Sequence, residues 1–276
     1  MKATNLKYDI TKSTAPAMPK LGKGTECVQL LLSQISKDMH EPLVPMFFPI
    51  LGAQVSETEF QYPDLSWKEL CGMMGNLVAD SGCNKGQLSN IVEAICHNLR
   101  EHDSTELEKL VEWQKQMKTK SANKEKPARP DVSFWFPPAD VTNAAFIQNA
   151  MTCEKLGGRT QYLNLPEVEM ADRMCGGHKQ ISQMLRNIYD RQRCGALRAT
   201  AEGVTGNPVL RANLTISSTP YAARKFYKNE LFNGTFGRMV FSYKARQGRE
   251  GKIPRQGKYD DTFYQKVDVY LVKLRL

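Results

Sequence analysis

The chain has 276 residues, enough for one large domain or two small ones, and its 41% apolar and 24% charged residues are typical of a globular protein. No apolar run approaches the roughly 20 residues that span a bilayer, and the N-terminus has no apolar stretch typical of a signal peptide. The seven cysteines are scattered without a C-x-x-C pair, which excludes a disulfide framework and a four-cysteine zinc site. We therefore expect a soluble, cytoplasmic protein with no membrane partner.

The net charge of +9 is distributed unevenly along the chain. Residues 191–276 contain 17 Lys and Arg against 6 Asp and Glu, a net charge of +11, whereas residues 1–190 contain 21 against 23. A one-sided positive field attracts polyanions, and nucleic acid is the commonest such partner. The alternative is a solvated basic surface without a partner.

The predicted elements alternate between helices and strands. In chain order, the patterns predict a helix over 26–39, a buried element over 46–55, a strand over 73–80, helices over 88–99 and 104–117, an exposed loop over 121–130, a strand over 131–136, a helix over 143–156 capped by Thr142, a strand over 160–165, a helix over 180–193, two strands around a turn at 203–208, and a last strand in 229–243. This order favours an α/β fold with a mostly parallel sheet flanked by helices.

The same patterns divide the chain into three parts. Residues 1–22 are polar and read as a mobile N-terminal arm, 23–245 as the α/β domain, and 246–276 as a basic C-terminal segment.

The segment Ala79–Gly86 lies between a predicted strand and a predicted helix and resembles the phosphate-binding loop G-x-x-x-x-G-K-[ST]. Lys85 occupies the lysine position, whereas Ala79, Asn84 and Gly86 replace the two glycines and the magnesium-binding hydroxyl. Asn is among the few residues that tolerate the positive φ that the second glycine often needs. The alternative is an ordinary strand-to-helix turn with an exposed lysine. The candidate nucleotide-binding residues, for ATP with Mg²⁺, are Ala79, Asp80, Ser81, Gly82, Cys83, Asn84, Lys85, Gly86 and Gln87.

An acidic segment follows the second buried strand. NTPases with such a loop place an acid there, which holds magnesium and polarises the attacking water. Here Pro166 occupies the usual aspartate position and is followed by Glu167 and Glu169. Glu167 is therefore the candidate catalytic and metal-binding acid, and Glu169 is a weaker one. The alternative is that both are surface acids that cap the next helix.

Together these segments resemble a bacterial family of unknown function that is P-loop NTPase-like and is found in primase- and helicase-type proteins of mobile elements. The resemblance covers roughly residues 25–276 and is carried by the segments 75–90, 134–151, 160–180, 187–210, 213–220 and 229–243. It implies a RecA- or AAA-like α/β core and a role in the replication or transfer of mobile DNA. The partners it implies are DNA, a primase or other replication protein, and further copies of the chain.

The resemblance also implies roles for single residues. Lys85 matches the phosphate-loop lysine and Glu167 the acid of the second motif, while Ser218 or Thr219 would sit where a sensor residue reads the γ-phosphate. Arg238 matches an arginine that the family carries after that strand, and it could act as a finger on a neighbouring subunit's nucleotide. The departure at Asn84, where relatives usually have glycine, bears most directly on hydrolysis.

Two basic regions are candidates for DNA contacts. Arg198 and Arg211, on the two strands of the predicted hairpin, resemble the β-hairpin that superfamily 3 helicases point into a DNA channel. Lys244, Arg246 and Arg249 interleave with tyrosines, a mixture that suits single-stranded DNA. The alternatives are a solvent-facing hairpin with incidental arginines and a solvated tail.

Three functions follow from these residues. The first is an ATP-binding, DNA-dependent NTPase or helicase-like module of a mobile-element replication or transfer system. The second is a P-loop scaffold without hydrolysis that binds DNA or a replication partner, and Gly86 and Pro166 favour it because both remove magnesium ligands. The third is an assembly protein in which ATP only holds subunits together.

Overall fold

The computed structural model describes residues 20–56, 58–64, 66–70, 72–119, 127–175, 181–197, 203–228, 234–246 and 257–275. Most of the predicted N-terminal arm therefore lies outside the described residues, as do the candidate DNA contacts Arg198 and Arg249.

The helices and strands of the described residues alternate along most of the chain. The helices are α1 (Glu26–Leu32), α2 (His40–Gln54), α3 (Gly86–Thr119), α4 (Asn143–Lys155), α5 (Glu169–Cys175), α6 (Ile181–Tyr189), α7 (Pro220–Tyr227) and α8 (Asp261–Arg275), with short 3-10 helices at Lys37–Met39 and Phe236–Arg238. The strands are β1 (Glu59–Phe60), β2 (Glu69–Leu70), β3 (Met74–Ala79), β4 (Gln161–Leu165), β5 (Ala212–Ser218) and β6 (Val240–Lys244). Among the described residues, no helix has the length and apolar character needed to cross a membrane.

The central feature is a four-stranded parallel sheet with the strand order β4-β5-β3-β6. β3 lies between β5 and β6, so that Val78 pairs with Ser218 and Ala79 pairs with Lys244. Every residue of β5 is buried, as expected for an inner strand of a sheet covered on both faces. The prediction of an α/β fold with a parallel sheet flanked by helices is confirmed. β1 and β2 form a separate antiparallel pair.

The helices cover both faces of the sheet. Alternate side chains of a strand point to opposite faces, and Leu77 of β3 packs in a core with α1, α2, α3 and α8. Met74 of the same strand packs in a second core with α4, α5, α6 and α7. The described chain therefore forms three layers, helix on sheet on helix.

The C-terminal segment is part of the first core. Phe263, Val267 and Leu271 recur every four residues along α8 and are all buried against the neighbouring helices. Residues 261–275 of the predicted basic segment thus form a packed helix rather than a solvated tail.

Helix α2 continues where the sequence predicts a helix end and a separate buried element. Pro45 and Pro49 both lie inside it, although each proline removes a backbone hydrogen bond from a helix. Side chains of the sheet supply other bonds to this helix: Asn213 donates to the carbonyl oxygen of Pro49 at 3.1 Å and Ser242 to that of Pro42 at 2.7 Å. Tertiary contacts thus stabilise a helix that its own sequence disfavours.

The segment 131–136, predicted as a strand, is not one. Side chains instead accept its backbone N–H groups: Asp103 from Trp135 and Phe136, both at 2.7 Å, and Glu106 from Ser133 at 2.9 Å. Asp103 and Glu106 lie one turn apart on α3, which runs unbroken over 34 residues where two helices are predicted. The segment is partly buried, but its backbone N–H groups donate to side chains of α3 and not to a neighbouring strand.

The buried carboxylate of Asp103 should contribute measurably to stability. In Asp103→Asn one of the two acceptor oxygens becomes an NH₂ group that faces an amide donor, so we expect the free energy of unfolding to fall by about 2 kcal/mol. Urea denaturation measures this, with Glu101→Gln, an exposed change on the same helix, as a control expected to stay within about 0.5 kcal/mol. Equal effects of the two variants would contradict the assignment.

Candidate functional site

The candidate site lies at the carboxyl edge of the parallel sheet. The loop 80–85 follows β3, Glu167 follows β4 and Thr219 follows β5, so all three come directly after the ends of parallel strands. Ligands of open α/β sheets bind outside these carboxyl ends. The structure therefore brings the predicted loop, acid and sensor residues to one edge.

The loop backbone alternates in conformation. Gly82 and Asn84 adopt positive φ angles of 78° and 58°, and the amide of Cys83, between them, donates to the carbonyl of Asp80 at 3.3 Å. Asn84 thus takes the left-handed conformation that the sequence predicts for the position of the second glycine. Such alternating backbone forms concave anion-binding sites from successive amides.

Four amides of this loop have no hydrogen-bond acceptor among the described residues. The N–H groups of Gly82, Asn84, Lys85 and Gly86 donate no hydrogen bond to any of the described residues. They lie at the N-terminus of α3, which is 34 residues long and contributes a partial positive charge there. Amides at a helix N-terminus are a favourable environment for phosphate.

The ammonium group of Lys85 lies between the ends of two strands. Its Nζ donates to the carbonyl oxygen of Ala79 at 3.1 Å and to that of Ser218 at 3.5 Å. The side chain is half-buried, and no carboxylate among the described residues pairs with it. The positive charge of Lys85 is thus held at the loop by neutral acceptors alone.

The side chain of Gln87 points away from the loop and bonds to Ser36. Gln87 is only 1% exposed, its Oε1 accepts from the amide of Ser36 at 2.9 Å, and its Nε2 donates to the Ser36 hydroxyl at 2.8 Å. This pair connects the start of α3 to the turn that precedes α2. The side chain of Gln87 therefore has a structural role, because both of its polar atoms bond to Ser36 and not to a ligand.

Lys244 continues this support behind the loop. Its Nζ lies 3.0 Å from Oδ2 of Asp38, and its side chain is only 7% exposed. Burial alone would raise the pKa of Asp38, but hydrogen bonds from Ser36 and Lys244 lower it below its usual range. A contact of Lys244 with DNA would require this buried ion pair to open, and it stays a prediction.

The sensor candidates lie beside Lys85, but their hydroxyl groups have other partners. The Ser218 hydroxyl donates to Oδ1 of Asn76 at 2.8 Å, inside the core. The Thr219 hydroxyl accepts from the amide of Ala222 at 3.2 Å and caps α7. A contact of either hydroxyl with a γ-phosphate stays a prediction.

Glu167 lies in the exposed turn between β4 and α5. β5 separates β4 from β3, so at the usual strand spacing Glu167 follows a strand about 10 Å from the one that carries the loop. Within the part of the chain that the structure describes, no three His, Cys, Asp or Glu side chains converge to hold a metal ion. Glu167 is thus an exposed carboxylate at the loop edge that forms no such three-residue group with its described neighbours.

Arg238 lies at the opposite, amino edge of the sheet, because it directly precedes β6. Its guanidinium forms two hydrogen bonds to the carboxylate of Asp190, both at 2.9 Å, and this pairing raises its pKa further above the usual range. A contact with a neighbouring subunit's nucleotide requires this ion pair to open. That trans contact stays a prediction, and the structure excludes only that Arg238 serves the loop of its own chain.

The other described arginine candidates, Arg211 and Arg246, lie at opposite edges of the sheet. Arg211 precedes β5 at the amino edge, where it donates to the carbonyl of Gly158 at 2.6 Å and lines, with Arg238, a cleft of about 1130 Å³. Antiparallel bridges join Arg193 to Val209 and Ala196 to Gly206, so a hairpin is present but Arg211 lies just beyond it. Arg246 is exposed after β6.

Sequence reasoning missed the residues that hold the loop from behind. Ser36 and Asp38 lie far before the loop in sequence, Asn76 lies in the strand that leads into it, and no motif marks any of the three. The helix α7 was missed as well, although its alternation of apolar and basic residues is a signal that could have found it.

Comparison with known proteins adds no assignment. The chain matches no protein-family model and no curated protein.

The backbone at Asn84 gives a direct test of the loop conformation. Asn84→Gly should leave the free energy of unfolding within about 0.5 kcal/mol, whereas Asn84→Ala should lower it by about 1 kcal/mol, because alanine is strained at φ 58°. Urea denaturation of both variants measures the difference. If alanine and glycine are tolerated equally, the left-handed conformation is not required.

Proposed function

We propose that this protein binds a nucleoside triphosphate, with ATP as the expected ligand, through the loop 79–86. We further propose that it is a DNA-dependent, helicase-like module in the replication or transfer of mobile DNA. The nucleotide part is supported by the four loop amides that donate to no described residue and by the Lys85 ammonium, all at the N-terminus of a long helix. The DNA part is supported by the net charge of +11 over 191–276 and by the family resemblance.

In this proposal the loop binds the phosphates in two ways. The amides of Gly82, Asn84, Lys85 and Gly86 donate to phosphate oxygens, and the Lys85 ammonium exchanges its two carbonyl acceptors for a charged oxygen. Charge-assisted hydrogen bonds are about twice as strong as neutral ones. The exchange of neutral acceptors for a charged one therefore contributes to the free energy of nucleotide binding.

The residues present do not form a magnesium site by themselves. Gly86 has no hydroxyl, Pro166 has no carboxylate, and Glu167 is not part of any group of three described His, Cys, Asp or Glu side chains that could hold a metal ion. Magnesium bound in such a site would neutralise charge that develops on the phosphates. What this chain can contribute to hydrolysis is the orientation of a water molecule by Glu167.

A second candidate function is nucleotide binding without hydrolysis, in a scaffold that binds DNA or a replication partner. The absence of a hydroxyl at Gly86 and of a carboxylate at Pro166 favours it, and so does the ion pair that occupies Arg238. The two candidates share the loop and differ only in turnover, so one set of assays separates them.

The first test removes the ammonium of Lys85. Lys85→Ala should weaken ATP binding, measured by titration calorimetry, by about 10- to 100-fold, because a charge-assisted bond contributes about 1.5–3 kcal/mol. Lys118→Ala is a matched control, since it lies in the last turn of the same helix, about 48 Å away along its axis. The control should bind as the wild type does.

Turnover is then measured with magnesium, with and without single-stranded DNA. Hydrolysis that DNA stimulates and Lys85→Ala abolishes supports the first function. Binding without turnover supports the scaffold. If the wild type does not bind ATP, or if Lys118→Ala loses as much ATP affinity as Lys85→Ala does, both candidate functions are contradicted.

Position 86 offers a gain-of-function test. A Cβ built at Gly86 has no heavy atom within 4 Å, so a side chain fits there without displacing a neighbour. Gly86→Ser supplies the missing hydroxyl and should strengthen ATP binding in the presence of Mg²⁺ but not in EDTA, whereas Gly86→Ala should show no such metal dependence. A serine variant that behaves like alanine would show that the loop does not hold a nucleotide in the expected register.

A further inference from the structure

The outer face of α7 carries an aromatic ring and three positive charges. Tyr221, Arg224, Lys225 and Lys228 are all exposed, and their spacing of i, i+3, i+4 and i+7 places them on one face. The segment 220–228 contains no Asp or Glu. None of the three cations forms an ion pair with a described residue.

The inner face of the same helix is firmly anchored. Ala223 and Tyr227 are buried in the second core, and the hydroxyl of Tyr227 accepts from Nδ2 of Asn76 at 2.9 Å. The Tyr227 ring also packs edge-on against Phe241, with 5.0 Å between ring centroids. With its N-terminus capped by Thr219, α7 presents its outer face on a rigid support.

Tyr221 distinguishes this face from an ordinary basic surface. Its side chain is 78% exposed, and its ring stacks on no other ring among the described residues. An exposed aromatic ring next to a row of cations is the combination that binds single strands, through base stacking together with phosphate contacts. Duplex DNA, whose bases are already stacked, would use the cations but not the ring.

We propose that the outer face of α7 binds single-stranded nucleic acid, with Arg224, Lys225 and Lys228 on phosphates and Tyr221 stacked on a base. From Tyr221 to Lys228 the face is about 10 Å long, the length of roughly three phosphates of one strand. Thr219, which caps α7, directly follows Ser218, whose carbonyl contacts Lys85, so the N-terminal end of this face lies at the same sheet edge as the loop. The inference names the DNA contact of the proposed function and rests on its DNA part, but not on nucleotide binding.

The salt dependence of binding tests the phosphate contacts. Fluorescence anisotropy of a labelled oligothymidylate of about 20 nucleotides, without nucleotide, gives the slope of log K against log[NaCl]. The triple variant Arg224→Gln, Lys225→Gln, Lys228→Gln should make this slope shallower by about 2, since each single-strand phosphate contact contributes about 0.7. The control triple Lys258→Gln, Lys266→Gln, Lys273→Gln makes the same change in net charge at exposed sites outside α7 and should keep the wild-type slope.

Substitutions of Tyr221 test the stacking. Tyr221→Ala should weaken binding by about 5- to 150-fold, whereas Tyr221→Phe, which keeps the ring, should bind as the wild type does. Equal slopes for the two triple variants, an unchanged affinity in Tyr221→Ala, or a duplex that competes as well as the single strand would overturn the inference.

The α7 triple variant should also bind ATP with wild-type affinity, and its melting temperature should be unchanged. These two measurements separate the inference from the nucleotide proposal. If the wild type binds single-stranded DNA through α7 but no ATP, the inference stands and the nucleotide proposal fails. If the wild type binds ATP but no single-stranded DNA, the inference fails and the nucleotide proposal stands.

Discussion

The buried amide of Asn76 is the interaction on which the candidate site most depends. It lies in the central strand, is fully buried, accepts from Ser218 and donates to Tyr227. One side chain therefore joins β3 to the end of β5 and to α7. Because an unsatisfied buried polar group costs about 1–3 kcal/mol, these three elements are held in one arrangement, and with them the carbonyl of Ser218 that orients Lys85.

A second layer of polar contacts holds the loop from the other side. Gln87 bonds to Ser36, and Lys244 pairs with Asp38 in the same short turn. The loop itself has one internal backbone hydrogen bond, from Cys83 to Asp80, and the amides of Gly82, Asn84, Lys85 and Gly86 donate to no described residue. An anion-binding loop requires such external support, because amides that donate within the protein cannot donate to a phosphate.

The direction of the parallel strands then sorts the charged residues. Lys85, Glu167 and the start of α7 lie at the carboxyl edge, whereas Arg211 and Arg238 lie at the amino edge, beside the large cleft. β3, which runs from one edge to the other, is about 16–20 Å long, so side chains from the two edges cannot meet on one phosphate group within a single chain. The sheet, and not the number of basic residues, decides which of them can act together.

Local patterns predicted well wherever a contact is close in sequence. The strand before the loop, the positive φ of Asn84, the Thr142 cap of α4 and the buried strand β4 all follow from neighbours within a few residues. The motif also placed Lys85 at the end of β3. About half of the candidate site, namely the loop and the acid after the second strand, could be predicted in this way.

What the sequence by itself determined is therefore the fold class and the loop, because backbone propensity and hydrophobic period are local properties. Only the tertiary structure decided that Lys244 is buried against Asp38, that α2 continues through two prolines, and that the segment 131–136 bonds to Asp103 instead of to a strand. In each case the partner lies 30 or more residues away in the chain or on another element. Its approach depends on the packed sheet and helices, which no local pattern records.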